Sequence, residues 1–137
     1  MKRQKDTILI FRIGSLGDTL VALPAFHLIR QQYPTSRIVL LTNTPMKGMV
    51  KVAPSHQILI GSGLVDDYIE YPHKTAGIRD LVKLVRTIRE LQPSATFYLV
   101  PPGTESSACG MLFSLLRRAF GECVVCGRVE TVTFTYQ

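Results

Sequence analysis

The sequence predicts an α/β domain built on a mostly parallel β-sheet with helices on both faces. Short segments rich in Ile, Leu and Val alternate with longer amphipathic segments, a pattern typical of strands that alternate with helices. The first short segment, Thr7–Ile13, is apolar almost throughout, as is usual for a strand covered on both sides. With 137 residues, the chain is expected to form one domain, residues 1–137, around a sizeable core.

The elements of the first half follow from apolar periodicity and from the positions of proline. After the strand Thr7–Ile13, a turn with two glycines leads into a helix at 18–33, which Pro24 is expected to distort locally. The helical spacing of this segment is carried by Leu20, Leu23, Phe26 (or His27) and Arg30, which advance by three or four residues. The later predicted elements are a strand at 37–42, a short helix at 44–52, a strand or loop within 55–63 and a strand at 67–71.

The second half contains the clearest amphipathic helix, predicted at 76–91. Its apolar stripe is expected to face the core, while its basic residues gather elsewhere. The stripe comprises Ile78, Leu81, Val82, Val85, Ile88 and Leu91, and the basic residues are Arg79, Lys83, Arg86 and Arg89. A strand at 95–100, a loop at 101–104, a helix at 105–120 and a strand at 122–126 complete the predicted alternation.

Two loops are the candidate binding region, because parallel sheets bind ligands at the carboxyl ends of their strands. These loops are the turn Gly14–Asp18 and the segment Pro101–Thr104. Glycines before a helix expose backbone N–H groups to a ligand, although they also allow tight packing of the strand against the helix. The spacing does not meet the three-glycine dinucleotide fingerprint. The candidate substrate-binding residues are Gly14, Ser15, Leu16, Gly17, Pro102 and Gly103.

Asp18 has two interpretations that are compatible with each other. Asp is a favoured N-cap residue, and the spacing alone favours this structural role at the start of the helix. A carboxylate at the carboxyl end of a strand can also act as a general base when a substrate hydroxyl lies within hydrogen-bond distance.

The composition limits the partners and the compartment. A net charge of +6 and a pI of about 9.5 permit an anionic partner, but Trp is absent and no aromatic residues alternate with basic ones, so nucleic-acid binding is not expected. Arg79, Lys83 and Arg86 offer a contact to a phosphorylated acceptor or an anionic membrane, although such a helix face is more often merely solvated. No apolar run is long enough for a signal peptide or a membrane span. A cytoplasmic protein is therefore expected, with peripheral contact at the inner membrane left open.

The cysteines and histidines give no indication of a metal site or a cofactor. An odd number of cysteines fits a reducing compartment. The C-x-x-C pair at 123 and 126 lies in a predicted strand and has no second pair to complete a zinc site, so small buried residues are expected instead. These residues are Cys109, Cys123 and Cys126, and the scattered histidines are His27, His56 and His73.

A resemblance to a known family extends from about Thr7 to Gly127. The run Arg12-Ile13-Gly14-Ser15-Leu16-Gly17-Asp18-Thr19-Leu20, followed by Leu23-Pro24-Ala25, resembles the N-terminal signature of glycosyltransferase family 9, the heptosyltransferase-like enzymes. The segments Gln31–Pro34 and Val65–Ile69 are similar to that family's next elements. The resemblance implies the Rossmann-like N-terminal half of a two-domain GT-B fold, in which this half mainly holds the acceptor and an absent C-terminal half binds the donor.

The resemblance also implies an activity and a role for Asp18. The family transfers a sugar, heptose or a similar one, from a nucleotide-sugar to a cell-envelope glycan such as the lipopolysaccharide core, with inversion and without a metal. Asp18 matches the family's proposed catalytic base. The segment Tyr98–Gly103 departs from better-known heptosyltransferases, which tend to carry an acidic residue there, and this departure weakens the case for heptose and lipopolysaccharide core. The alternatives are a non-catalytic glycan-binding module and a Rossmann-type nucleotide-binding domain unrelated to sugar transfer.

Overall fold

A computed structural model describes residues 6–12, 16–43, 58–59, 61–71 and 77–99 of the chain. Within these residues, the strands and helices follow one another in the predicted order, and the helix expected between the second and third strands lies outside the described part. The elements are β1 (Thr7–Phe11), α1 (Leu16–Gln32), β2 (Arg37–Asn43), β3 (Asp67–Tyr71), α2 (Ile78–Leu91) and β4 (Ala95–Tyr98).

The four described strands form one sheet in the order β3-β2-β1-β4, and every pairing is parallel. The register places Phe11 of β1 opposite Leu41 of β2 and Tyr98 of β4. The predicted α/β class with a parallel sheet is therefore confirmed. Strands β2 and β1 lie in the centre of this sheet, and their apolar residues alternate between its two faces.

Each face of the sheet is covered by a helix, which explains why the strands are apolar on both sides. On one face, Phe26 and Ile29 of α1 are buried against Ile8, Ile10 and the matching residues of β2. On the other face, Leu84 and Ile88 of α2 are buried with residues of β1, β2 and β3. The residues of that second core cluster are Leu9, Phe11, Val39, Leu41, Tyr71, Leu84 and Ile88.

Several predicted boundaries differ from the observed ones. Strand β1 ends at Phe11 and β4 ends at Tyr98, two residues before their predicted ends, although backbone N–H groups continue both ladders for one residue more. Helix α1 begins at Leu16 rather than at Asp18 and runs through Pro24, which is exposed. Helix α2 begins at Ile78 rather than at residue 76, after Gly77, whose N–H donates to the Asp80 carboxylate at 3.0 Å.

The sequence prediction of which helical residues face the sheet is partly wrong for both helices. In α1, the buried residues are Thr19, Phe26 and Ile29, whereas Leu20 is 49% exposed. In α2, Ile78 and Val82 lie outside the apolar stripe that faces the sheet. The predicted stripe also omits Leu84, which is buried. The helix thus carries seven apolar residues at mixed spacing, and only part of so wide a set can face the sheet.

In the described part of the chain, two ion pairs lie near the amino ends of β2 and β3. One joins the end of α1 to the start of β3, and the other joins β2 to β3. Asp66 accepts hydrogen bonds from Arg30 Nη2 and from the backbone N–H of Ile38, both at 2.8 Å. Asp67 forms a second ion pair with Arg37 at 2.6 Å. Asp66 and Asp67 thus serve the fold at the edge of the sheet opposite to the predicted binding loops.

The other predicted elements, the helices at 44–52 and 105–120, the strand at 122–126 and the three cysteines, lie outside the described residues. Within 55–63, Ile58 and Leu59 are helical, so the alternative of a strand is wrong for these two residues. No helix in the described part of the chain is both long enough and apolar enough to span a bilayer.

Candidate functional site

The topology creates a switch point between β1 and β4. From β1 the chain passes through α1 to β2 on one side, whereas from β3 it passes through α2 to β4 on the other side of β1. In open parallel sheets, ligands bind in a crevice at the carboxyl ends of the two strands between which the strand order reverses. The predicted binding loops follow β1 and β4, the two strands that border this crevice.

Arg12 joins the two strands at the crevice. Its backbone N–H donates to Leu41 O at 2.9 Å, and its guanidinium Nη1 donates to Leu99 O at 2.7 Å. Arg12 is only 2% exposed, although it is the first residue after β1. The contact brings the chain positions that lead into the two predicted binding loops next to each other.

Asp18 lies in the first turn of α1 and is half-buried. Because the helix begins at Leu16, Asp18 is two residues inside it, so the predicted N-cap position is wrong. Its carboxylate interacts electrostatically with the Arg12 guanidinium. Burial lowers the pKa of Arg12 from its ordinary value, and the charge of Asp18 acts against that shift. A carboxylate in the first turn is also stabilised by the helix dipole.

Two threonines extend this polar group beneath the first turn of α1. Thr19 is fully buried, and Thr42 is 1% exposed. Alternation along the strands places Arg12 and Thr42 on the face that carries α1, side by side after the paired residues Phe11 and Leu41. Within the described part of the chain, the Thr42 hydroxyl is buried without a hydrogen-bond partner. Buried polar groups are usually satisfied, so the Thr42 hydroxyl calls for an explanation, and a role in a site is one.

Two of the six candidate substrate-binding residues lie in the part of the chain that the structure describes. Leu16 and Gly17 form the first turn of α1, where Leu16 is half-buried and Gly17 is exposed. Backbone N–H groups of a first helical turn have no partner within the helix. The remaining candidates, Gly14, Ser15, Pro102 and Gly103, lie outside the described residues.

The sequence reasoning missed Arg12 and Thr42 as members of this group. A signal for Arg12 was available, because it is a lone cation at the end of an apolar strand, directly before the glycine turn. Thr42 gave no such signal, because a threonine is an ordinary strand residue.

This arrangement can hold a carboxylate beside a permanent cation at the mouth of a crevice. Arg12 stays protonated at any physiological pH, so its charge is fixed. Asp18 can accept a proton or a hydrogen bond from a polar ligand that enters from the carboxyl edge. Among the described residues, no group of three His, Cys, Asp or Glu side chains is arranged to hold a metal ion.

Comparison with known proteins gives a likeness of fold. No family model matches the sequence, and no curated protein matches it. Among solved structures, the chain is similar to the crystal structure of the glycosyl transferase family 9 from Veillonella parvula DSM 2008, with a TM-score of 0.60 and 18% sequence identity. The match covers 82% of this chain and 30% of that one. At this identity the likeness shows the fold, and the chain corresponds to less than a third of the similar protein.

Proposed function

We propose that the chain is the acceptor-side domain of an inverting, metal-independent glycosyltransferase. The observation that carries the proposal is the position of Asp18, a half-buried carboxylate beside Arg12 at the switch point of the sheet. The fold likeness to a glycosyl transferase of family 9 supports the reaction class. The sugar would be heptose or a similar one, and the acceptor a cell-envelope glycan such as the lipopolysaccharide core.

In the proposed reaction, an acceptor hydroxyl attacks the anomeric carbon of a nucleotide-sugar. Asp18 takes the hydroxyl proton as the new carbon–oxygen bond forms, and the bond from the anomeric carbon to the diphosphate oxygen breaks. The nucleoside diphosphate leaves with the bonding electron pair. Because attack and departure occur on opposite faces of the sugar, the configuration inverts. A positioned base contributes about 10²–10⁴-fold to the rate of such a step.

The neighbouring residues would prepare Asp18 for this role. Arg12 fixes the relative position of β1 and β4 through Leu99 and supplies a cation beside the carboxylate. The backbone of Leu16 and Gly17 offers N–H donors at the start of α1. Gly14, Ser15, Pro102 and Gly103 are proposed as the remaining acceptor contacts from the two loops.

The nucleotide-sugar would be bound by a second domain across the crevice. The chain spans only 30% of the similar glycosyltransferase, so this second domain is part of the proposal. A carboxylate without a donor opposite it has no reaction to assist. The isolated chain is therefore expected to bind an acceptor without transferring a sugar.

Binding measurements test this function. Isotope-labelled chain is titrated in NMR experiments with heptose-containing core oligosaccharides and, separately, with ADP and UDP. We expect the oligosaccharides to shift the amide signals of Leu16 to Thr19, and the nucleotides to shift none of them. Sugar transfer should appear when the chain is joined to the donor-binding half of the fold-related glycosyltransferase.

Three results would contradict the proposal in different ways. Oligosaccharide binding without transfer in the joined protein would indicate a non-catalytic glycan-binding module. Binding of ADP or UDP to the chain alone would indicate a nucleotide-binding domain unrelated to sugar transfer. Absence of any shift with either class of ligand would show that the start of α1 binds neither glycans nor nucleotides, and the proposed function would be wrong.

A further inference from the structure

The outward side of α2 combines exposed aliphatic residues with cations. Ile78 is 82% exposed and Val82 is 55% exposed, whereas the sequence pattern assigns both to the buried stripe. The basic residues of this helix are exposed as well. We call this set the α2 outer face; it consists of Ile78, Arg79, Val82, Lys83, Arg86 and Arg89.

Helical geometry places these residues on one continuous surface. At about 100° per residue, Ile78 and Val82 lie about 40° apart, with Arg89 between them and with Arg86 and Arg79 next to Val82. Lys83 is the last cation of the surface, and the exposed acid Glu90 lies between it and Arg79. The buried residues Leu84 and Ile88 point to the opposite side. The aliphatic pair therefore lies at the border between the cations on one side and the partly buried Val85 and Leu81 on the other.

Helix α1 provides a comparison, because it also exposes aliphatic residues. Val21 is 83% exposed and Leu28 is 66% exposed. However, the single basic residue of α1 is Arg30, which is engaged with Asp66 at 2.8 Å. Both helices thus present apolar surface, but only α2 combines it with several cations that point to solvent.

We propose that the α2 outer face binds an anionic lipid bilayer. A helix that lies in a membrane interface buries aliphatic side chains among the acyl chains and places Arg and Lys at the headgroups. Each cation near an anionic surface adds attraction, and the net charge of +6 acts in the same direction. A nucleic acid would use the cations but would gain little from Ile78 and Val82.

The direction of α2 relates this surface to the candidate site. Helix α2 follows β3, so its first residues, Ile78 and Arg79, lie towards the carboxyl edge of the sheet, as Asp18 does. A bilayer on the α2 outer face would therefore lie near the mouth of the crevice. The lipid-binding inference does not depend on the proposed transfer reaction, since it concerns a different surface and a different ligand.

Vesicle sedimentation with the whole chain tests the inference. Sucrose-loaded vesicles of phosphatidylcholine alone, or of phosphatidylcholine with phosphatidylglycerol, are mixed with the protein at low salt and pelleted. We expect partitioning onto the vesicles that contain phosphatidylglycerol and little onto phosphatidylcholine alone. Absence of binding to the anionic vesicles would overturn the proposal.

Two variants separate the contributions of charge and of apolar insertion. The triple variant Arg79→Glu, Lys83→Glu and Arg86→Glu should weaken partitioning by at least ~100-fold, since each cation contributes about fivefold. This difference should shrink as salt rises. The variant Ile78→Ser and Val82→Ser should weaken partitioning by about tenfold at any salt concentration, because insertion of aliphatic groups is not screened.

A matched control uses the exposed aliphatic residues of α1. The variant Val21→Ser and Leu28→Ser removes similar apolar area from a helix without free cations, and it should partition like the wild type. If this control loses as much binding as the α2 variant, general hydrophobicity explains the result and the proposal is wrong. If the Ile78→Ser and Val82→Ser variant binds like the wild type, the face attracts polyanions in general, which also overturns it. Circular dichroism melting of each variant confirms that these exposed substitutions leave the protein folded.

Discussion

The two edges of the sheet place an arginine beside a carboxylate in opposite environments. At the amino edge, Arg37 and Asp67 are joined at 2.6 Å, and their side chains are 46% and 50% exposed. At the carboxyl edge, Arg12 is 2% exposed and interacts with the half-buried Asp18. The same two residue types thus meet in water at one edge and beneath a helix at the other.

This difference separates residues that serve the fold from residues that a function would require. Solvated ion pairs are inexpensive and help to hold strands in register. Burial of a guanidinium removes it from water at considerable cost, and replacement of a whole buried ion pair by apolar residues often preserves stability, whereas loss of one partner leaves the other unpaired and lowers stability. The burial of Arg12 next to Asp18 and two buried threonines is the observation on which the proposed site rests.

The largest expected difference between the two edges concerns catalysis. In a complete enzyme that contains this domain and a donor-binding domain, Asp18→Asn should lower turnover by roughly 10²–10⁴-fold, because the amide cannot accept the proton. Stability should fall by about 1 kcal/mol or less, since the substitution removes a charge from the first turn of α1. Transfer kinetics and thermal melting of the same variant measure the two effects.

The matched control is Asp66→Asn at the amino edge. It makes the same chemical change in a carboxylate that also contacts an arginine. Turnover per folded molecule should equal that of the wild type. If Asp66→Asn lowers turnover as much as Asp18→Asn does, or if Asp18→Asn leaves turnover unchanged, the functional contrast between the edges is wrong.

A second, smaller effect concerns the stability of the carboxyl edge. Arg12→Met keeps a long side chain but removes the hydrogen bond to Leu99 O, and it should lower the free energy of unfolding by about 1.5–3 kcal/mol. Combination with Asp18→Asn should cost less than the sum of the single changes, by at least ~0.5 kcal/mol, because the two residues interact. Urea unfolding of the wild type, the two single variants and the double variant completes this double-mutant cycle. Additive costs would show that Arg12 stabilises the strands without any energetic link to Asp18.

Much of the fold was predictable because burial dictates the sequence of a parallel sheet. Strands covered on both faces require apolar residues throughout, and Ile8, Ile10, Val39 and Leu41 fulfil that requirement in the two central strands. Element boundaries were less predictable, because the start of α1 depends on local backbone geometry at Leu16 and not on periodicity. The exposure of Ile78 likewise depends on how α2 is rotated against the sheet, which the pattern of apolar residues leaves open.

The position of Asp18 at the carboxyl edge of the sheet was predictable from the sequence, whereas the residues around it were not. The turn before α1 indicated Asp18, because glycines between a strand and a helix mark the carboxyl edge. Arg12 and Thr42 meet only when β1 and β2 pair in register, so residues thirty positions apart in sequence become neighbours. Such a pairing cannot be read from local spacing.

The smallest expected effect lies within the amino edge itself, between its two adjacent carboxylates. Asp66 binds Arg30, whose side chain is 19% exposed, and also accepts the backbone N–H of Ile38 at 2.8 Å, whereas Asp67 pairs with a half-exposed Arg37. Asp66→Ala should therefore lower the free energy of unfolding by about 1–2 kcal/mol, since it leaves a strand N–H without its acceptor. Asp67→Ala should cost less than about 1 kcal/mol, and high salt should remove most of that cost, because solvent already screens the pair. Urea unfolding of both variants at low and high salt measures the difference. If the two variants lost equal stability at low salt and both losses disappeared at high salt, the strand N–H of Ile38 would have found another acceptor and the amino edge would depend on charge alone.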